Sequence, residues 1–388
     1  FGPYPLWATG ADGTDIPVVT TSGQYRYVGQ LVAGFDASGE LIAIDDTASG
    51  PVRIAGGDNP DAVAPDRAIE VRVTEPVAAA LEDLANSVIG TTEVALDGRR
   101  SQVRTVETNE GNLIADALLW QAAQLAADFG APMPDVSLQN GGGIRNDSIL
   151  PPGDLTELDT FDMVPFSNFV TIGQDISREH FKEILENAVS QVENVGGRFA
   201  QISGFTFSWD PAGTPQELDA DGSVVVAGTR IVEVTLESGV PIVAAGTVVA
   251  GPALHVATID FLARGGDQYP FRAAAFTSIG VTDQQALSNL IQDPLGGLIT
   301  AVDYPEGGEG RITRIIAMAR DNAQSMAPVA DLVSLAQNVP NPFNPQTTIR
   351  FALAEPGLYR LTIYDVGGRA VRSLRGIGSV GVNRLVWD

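Results

Sequence analysis

The chain contains no cysteine. That excludes a disulfide framework, a thiolate zinc site and a thiol nucleophile. Histidine is almost as scarce, with His180 and His255 making up the count of 2. Neither has a second histidine at metal-binding spacing, and no H-E-x-x-H or D-x-H run occurs. A histidine-based triad or a two-metal centre therefore cannot be assembled from this chain alone. There is no G-x-S-x-G nucleophile elbow and no P-loop lysine; Lys182 is the single lysine. Long apolar runs are missing too. The most apolar stretch, 224–251, is interrupted by Arg230, Glu233 and Glu237, so no membrane span is expected. Positive charge is in short supply, with 23 basic against 48 acidic residues, a net charge of −25 and a pI near 4.3. Such a surface repels nucleic acid and anionic membranes, which excludes nucleic acid as a general partner. Any phosphate site has to gather arginines locally.

What is present is enough for real cores: 388 residues, 44% of them apolar. The length alone suggests two or three domains. Residues 17–44 alternate valine, threonine and tyrosine around turn signals and read as strands. Residues 50–67, rich in Gly, Pro and Asp, read as a loop or junction. Helical spacing predicts helices over 75–89, 109–129 with Asn109 as the candidate cap, 177–193, a patch at 253–264, and 283–291. The helix over 177–193 has the cleanest apolar stripe, from Phe181 to Val192. From about 321 the character changes to a linker, then to strands separated by Pro/Asn/Gly turns. Residues 331–388 hold four acids and six arginines, against a net −27 in the preceding part. That shift predicts a separate small β-sandwich.

Between the helices, Val136–Arg145 reads VSLQNGGGIR. An apolar strand ends there in a glycine turn carrying Asn140 and Arg145, a turn expected to need glycine backbone conformations. Arg100 and Arg104 lie four apart in DGRRSQVR. Phe166 follows a proline in VPFSN, and Phe261 opens a run that ends with Asp267 and Tyr269. Two rings that sandwich a base, a carboxylate that accepts ribose hydroxyl protons and arginines that meet phosphate would hold a nucleotide. Singly, each residue has a plain alternative: core packing for the phenylalanines, a salt bridge for Arg145, a turn for Asp267.

Five segments carry a resemblance. TNEGNLIADAL (108–118), NGGGIR (140–145), VPFSN (164–168), GRFAQISG (197–204) and DFLARGGDQY (260–269) stand in the order found in the C-terminal domain of the 5'-nucleotidases. Those are secreted or surface metallophosphoesterases, related to UDP-sugar and cyclic-nucleotide hydrolases. The resemblance implies a layered, mixed-sheet α/β domain over 91–322 that binds the substrate. It also implies an interdomain helix within 67–90, and in 1–66 the last strands of a metallophosphatase domain. Carried onto this sequence, Phe166 and Phe261 resemble the base-stacking pair and Asp267 the ribose ligand. Asn140, Arg145, Arg100 and Arg104 resemble groups that face base, ribose or phosphate. Arg264 and Gln268 stand where family members often have Asn and Gly. The family's metal-binding and Asn-His catalytic motifs have no counterpart, so no catalytic or metal-ligating residue is expected in this chain.

The tail over 335–388, after a linker at 323–334, resembles the small Ig-like sorting module of proteins exported by the type IX system. It implies a secreted or cell-surface bacterial protein, outside the outer membrane. The expected whole is the nucleotide-binding portion of a 5'-nucleotidase-like hydrolase whose parent uses two divalent metal ions in a metallophosphatase domain that is missing here. The chain begins without methionine and reads as a processed product or a piece of a longer gene. The alternative is a structural, adhesive or filament-forming surface protein that self-assembles on the same domain.

Overall fold

Strand-forming residues at the start of the chain pair as short antiparallel ladders: Leu6–Thr9 with Asp15–Val18, Tyr27–Gln30 with Gly50–Arg53, and Ala33–Phe35 with Leu41–Ile44. The segment at 50–67 expected as a loop thus opens with a strand, Pro51 being tolerated in a two-stranded ladder. These features belong to a computed structural model, which describes residues 3–21, 25–272, 274–315, 334–339, 347–353, 357–364, 370–378 and 381–387. The chain divides into two compact units, Phe1–Ala317 and Met318–Asp388.

A continuous helical segment follows the ladders. Arg67–Ile69, capped by Asp66, runs through a π turn at Glu70–Thr74 into the helix Glu75–Asn86. None of its residues is buried. It ends earlier than Ile89 because Val88–Thr92 pairs with Gly153–Thr156 and Leu298–Ile299 in a three-stranded sheet.

The main sheet has five strands in the order Ala200–Ser203, Val136–Asn140, Leu254–Ile259, Phe169–Ile176, Phe276–Thr282. The pairing of 254–259 with 136–140 is parallel and the other three are antiparallel. The sheet is therefore mixed, in a mixed α/β unit. Residues 254–259 correct the expected helix over 253–264, which survives only as Asp260–Ala263. A short run that is apolar on all sides fits a buried helix or a buried strand equally, and here two flanking strands decide.

The helix Asn109–Leu125 lies across this sheet and against the helix Asp283–Gln292. Its cap is Thr108, whose hydroxyl accepts from Gly111 N at 3.0 Å, rather than Asn109. Asn109 is buried and ties the helix to the preceding turn, accepting from Asp97 N and donating to Ala95 O. A second five-stranded sheet, ordered 247–248, 241–244, 231–236, 205–209, 312–314, sits beyond the helix Arg178–Ala188. Phe181 of that helix meets Phe205 edge-on at 5.2 Å. Both rings are buried, each contributing about 1.5–3 kcal/mol.

In the C-terminal unit, Thr347–Leu353 pairs antiparallel with Ser334–Val339 and Gly381–Trp387, and Gly357–Tyr364 pairs with Ala370–Gly378. The expected linker at 323–334 lies outside the described residues apart from Ser334. The turn residues within 340–346 and 365–369 also lie outside them. Among the described residues no helix is long and apolar enough to cross a membrane.

Candidate functional site

Strand directions in the main sheet bring four chain segments to one end. Asn140 ends its strand beside Ala200, the first residue of an antiparallel neighbour. Ile259 ends the parallel strand and pairs with Val170, near the start of the next. The loops after Asn140 and Ile259 and before Phe169 and Ala200 must therefore meet. Where they meet is a cavity of about 360 Å³, lined by Arg104, Asn140, Arg145, Phe166, Phe261 and Asp267 together with Asn168, Gly197 and the turn glycines. Six of the seven expected site residues line it. Arg100 does not; it stands one helical turn from Arg104, and its backbone N donates to Asp147 at 2.8 Å.

The glycine turn corrects one expectation. Gly141, Gly142 and Gly143 do not adopt positive φ. They are required by close approach instead. A Cβ on Gly141 would lie 2.1 Å from Val103 O, and one on Gly143 2.2 Å from the Gln139 amide. Gly141 N and Gly142 N donate to Phe199 O and Gly197 O, each at 2.7 Å. The turn is thus wedged between the Arg104 segment and the Gly197 loop, which draws both to the cavity.

Polar groups line one side. Asn140 donates through Nδ2 to Asp267 Oδ2 at 2.6 Å, leaving the other carboxylate oxygen for a ligand hydroxyl. Arg104 is buried and its Nε has no partner among the described residues. Burial pulls its pKa down, and the charges of Arg100 and Arg145 pull it further. An arginine does not lose its proton for this; the strain marks a place that an anion would relieve. Phe166 and Phe261 are 47% and 43% exposed, unusually open for phenylalanine. The Arg145 guanidinium lies 5.6 Å from the Phe166 ring centre.

Asn168 and Gly197 line the cavity and were not singled out, although both fall inside the quoted VPFSN and GRFAQISG segments. Asn168 is bonded to Asp283, donating to its carboxylate at 3.4 Å and accepting from its backbone N at 3.0 Å. Burial pushes the Asp283 carboxyl up to about 7. Arg264 and Gln268 face away from this cavity and border a neighbouring one. Arg264 pairs with Asp260 at 3.5 Å and lies over Phe276, and Gln268 accepts from Arg198 at 2.8 Å. Among the described residues no group of three or more His, Cys, Asp or Glu is placed to hold a metal ion.

Comparison with known proteins places these features. Residues 88–274 match the family described as 5'-nucleotidase, C-terminal domain. The chain is 32% identical over 266 residues to the trifunctional nucleotide phosphoesterase protein YfkN of Bacillus subtilis, covering 68% of this chain and 16% of that one. It is 28% identical over 270 residues to the snake venom 5'-nucleotidase of Macrovipera lebetinus, covering 69% of this chain and 61% of the relative. A 5'-nucleotidase precursor from Thermus thermophilus superposes with a TM-score of 0.51 at 28% identity, over 81% of this chain and 55% of that one. The chain thus spans less than two thirds of the length of each of these proteins.

Proposed function

We propose, from the match of residues 88–274 to the 5'-nucleotidase C-terminal domain, that this chain is the nucleotide-binding portion of a nucleotide phosphoesterase. The observation that carries the reading is the cavity itself. It joins two open aromatic rings, a carboxylate with a free oxygen and two arginines in a protein of net charge −25. A base stacks between or on Phe166 and Phe261. Asp267, steadied by Asn140, accepts the ribose hydroxyl protons. Arg104 and Arg145 face the phosphate, with Arg100 adding to the positive field.

No hydrolytic step is assigned to this chain. The reading assigns metal-activated hydrolysis to a separate metallophosphatase domain, because the two histidines of this chain stand singly and not at metal-binding spacing. The ladders and helix over 6–86 are in keeping with such a partner: Trp7, Phe35 and Ile42 are 54%, 61% and 69% exposed in these short ladders. The likeness of the tail to an exported sorting module supports a location outside the cell.

Isothermal calorimetry with adenosine tests the site. Phe166→Ala is expected to lower affinity by about 1–3 kcal/mol, the worth of one base–aromatic stack. Equal titrations of the two proteins would end the stacking idea. Phosphate release from AMP with added Mn²⁺ or Zn²⁺ is expected to stay at background. Turnover that disappears on chelation would overturn the assignment of chemistry to a separate domain.

A further inference from the structure

Four buried side-chain oxygens have no hydrogen-bond partner among the described residues, and two of them, Glu110 Oε1 and Asn146 Oδ1, belong to side chains bonded to each other. Glu110 lies in the first turn of the helix Asn109–Leu125 and is fully buried. Asn146 Nδ2 donates to its other oxygen, Oε2, at 3.0 Å. The two orphan oxygens face one spot, because a Cβ on Gly98 would lie 2.1 Å from Asn146 Oδ1 and 2.3 Å from Glu110 Oε1. Two acceptors that converge on one spot, beside an N–H···O bond between the same two side chains, lack one proton. An ionised carboxylate only accepts, whereas a protonated one also donates. A proton on Oε1 donates to Asn146 Oδ1 and closes an acid–amide ring that satisfies both orphan oxygens.

We propose that Glu110 is a positioning residue held in its protonated form, and that its acid–amide ring with Asn146 locks the 141–148 loop, and with it Arg145, onto the helix. The surroundings agree. Burial, opposed by the Asn146 hydrogen bond and helped by the Asp97 charge, brings this carboxyl up to about 8. Of the charged groups on the adjoining segments, Asp97 is held by Arg99 in two bonds, and the Arg100 backbone is held by Asp147. Arg104 is turned to the cavity, Arg145 lies over Phe166, and Glu107 is bound to Asn112. Among the described residues none of these cations forms an ion pair with Glu110. The lever is short: Asn146 sits between Arg145, whose N donates to Met163 O at 2.9 Å, and Asp147, which accepts from Arg100 N. Loss of the proton places a charge on Oε1 opposite Asn146 Oδ1, so the ring opens and the loop loosens.

The ligand readout rests on the nucleoside reading above, so the test has two arms that do not. Infrared spectra of the full chain at neutral pH are expected to show a protonated-carboxyl stretch that is lost in Glu110→Gln, beside the band of Asp283 that both proteins share. Amide exchange over 141–148, corrected for the chemical rate, is expected to quicken as pH rises through about 8 in the wild type. It should stay slow in Glu110→Gln, whose amide reproduces the ring without a titrating proton, and be quick at every pH in Asn146→Ala. Adenosine has no group of its own titrating in this range. Its affinity is expected to fall about tenfold between about pH 7 and about pH 10 in the wild type and to stay level in Glu110→Gln. A carboxyl band unchanged in Glu110→Gln, or the same pH dependence in that variant, would overturn the ring. If adenosine fails to bind at any pH, the nucleoside reading falls, and the infrared and exchange arms still decide the ring.

Discussion

Asp267 and Gln268 hold φ of +50° and +58°, left-handed values that residues other than glycine adopt at a cost. Neighbours keep them there. Asn187 donates to Asp267 O at 3.3 Å, Arg198 binds both Asn187 and Gln268, and Tyr269 bonds back to Arg198 O at 2.7 Å. The result aims one carboxylate into the cavity. Asparagine tolerates the same backbone, so Asp267→Asn removes the charge with little disturbance of the turn. We expect it to weaken adenosine binding by about 1–2 kcal/mol, the margin of a charge-assisted over a neutral hydrogen bond. The loss should vanish with 2',3'-dideoxyadenosine, which has no ribose hydroxyls at those positions to offer. An equal loss for both ligands would mean that Asp267 only shapes the turn. Asp267 was legible because its run of residues is distinctive. Asn168 and Gly197 were not, since a loop Asn or Gly reads as a turn former. Glu110 was beyond reach, because its partner is 36 positions away and the need for a proton appears only when both are buried together.

At the scale of elements, the helix Asn109–Leu125 holds the unit together, and it reaches the second sheet through a carboxylate just before it. Glu107 is 6% exposed. It accepts from Asn112 Nδ2 at 2.7 Å and from the backbone N of Glu309, Gly310 and Ile312 at 2.6, 3.2 and 3.0 Å. Those bonds fasten the strand 312–314 beside Phe205–Trp209. Arg311 adds a paired bond to Asp116 on the same helix, at 2.6 and 2.9 Å. Glu107→Ala leaves several buried donors unmet, so it should cost about 3–5 kcal/mol of unfolding free energy in urea. Glu107→Gln keeps two acceptor lone pairs and should cost less. A loss under about 1 kcal/mol for the alanine variant would show that water replaces the carboxylate freely. The helix itself was readable from its stripe of apolar residues, while its cap lies one residue before the expected Asn109, at Thr108. The strand at 254–259 was not, since burial on both faces erases the alternation that identifies a strand.

At the scale of the whole molecule, charge and exposed apolar area were readable from composition and alternation, but what faces them was not. The alternation within 17–44 marks strands; it says nothing about what covers the side that should be buried. Charge permits a sharper statement. The protein carries −25 overall, yet Arg104 and Arg145 line the cavity. Distance decides which field an anionic ligand feels. At about 0.01 M salt the screening length is about 30 Å, so the acidic body repels AMP as it approaches. At about 0.1 M it shrinks to about 10 Å, which removes most of the body's repulsion while the two arginines, in contact with the phosphate, keep their attraction. At about 1 M, with a length of about 3 Å, that attraction is screened as well. AMP affinity is therefore expected to rise and then fall with salt, with its maximum near about 0.1 M, while adenosine shows no such peak. Calorimetric titrations of both ligands across that range measure it. An AMP curve as flat as that of adenosine would show that the phosphate does not face Arg104 and Arg145. A steady decline from the lowest salt would show that the local arginines outweigh the acidic body at every distance.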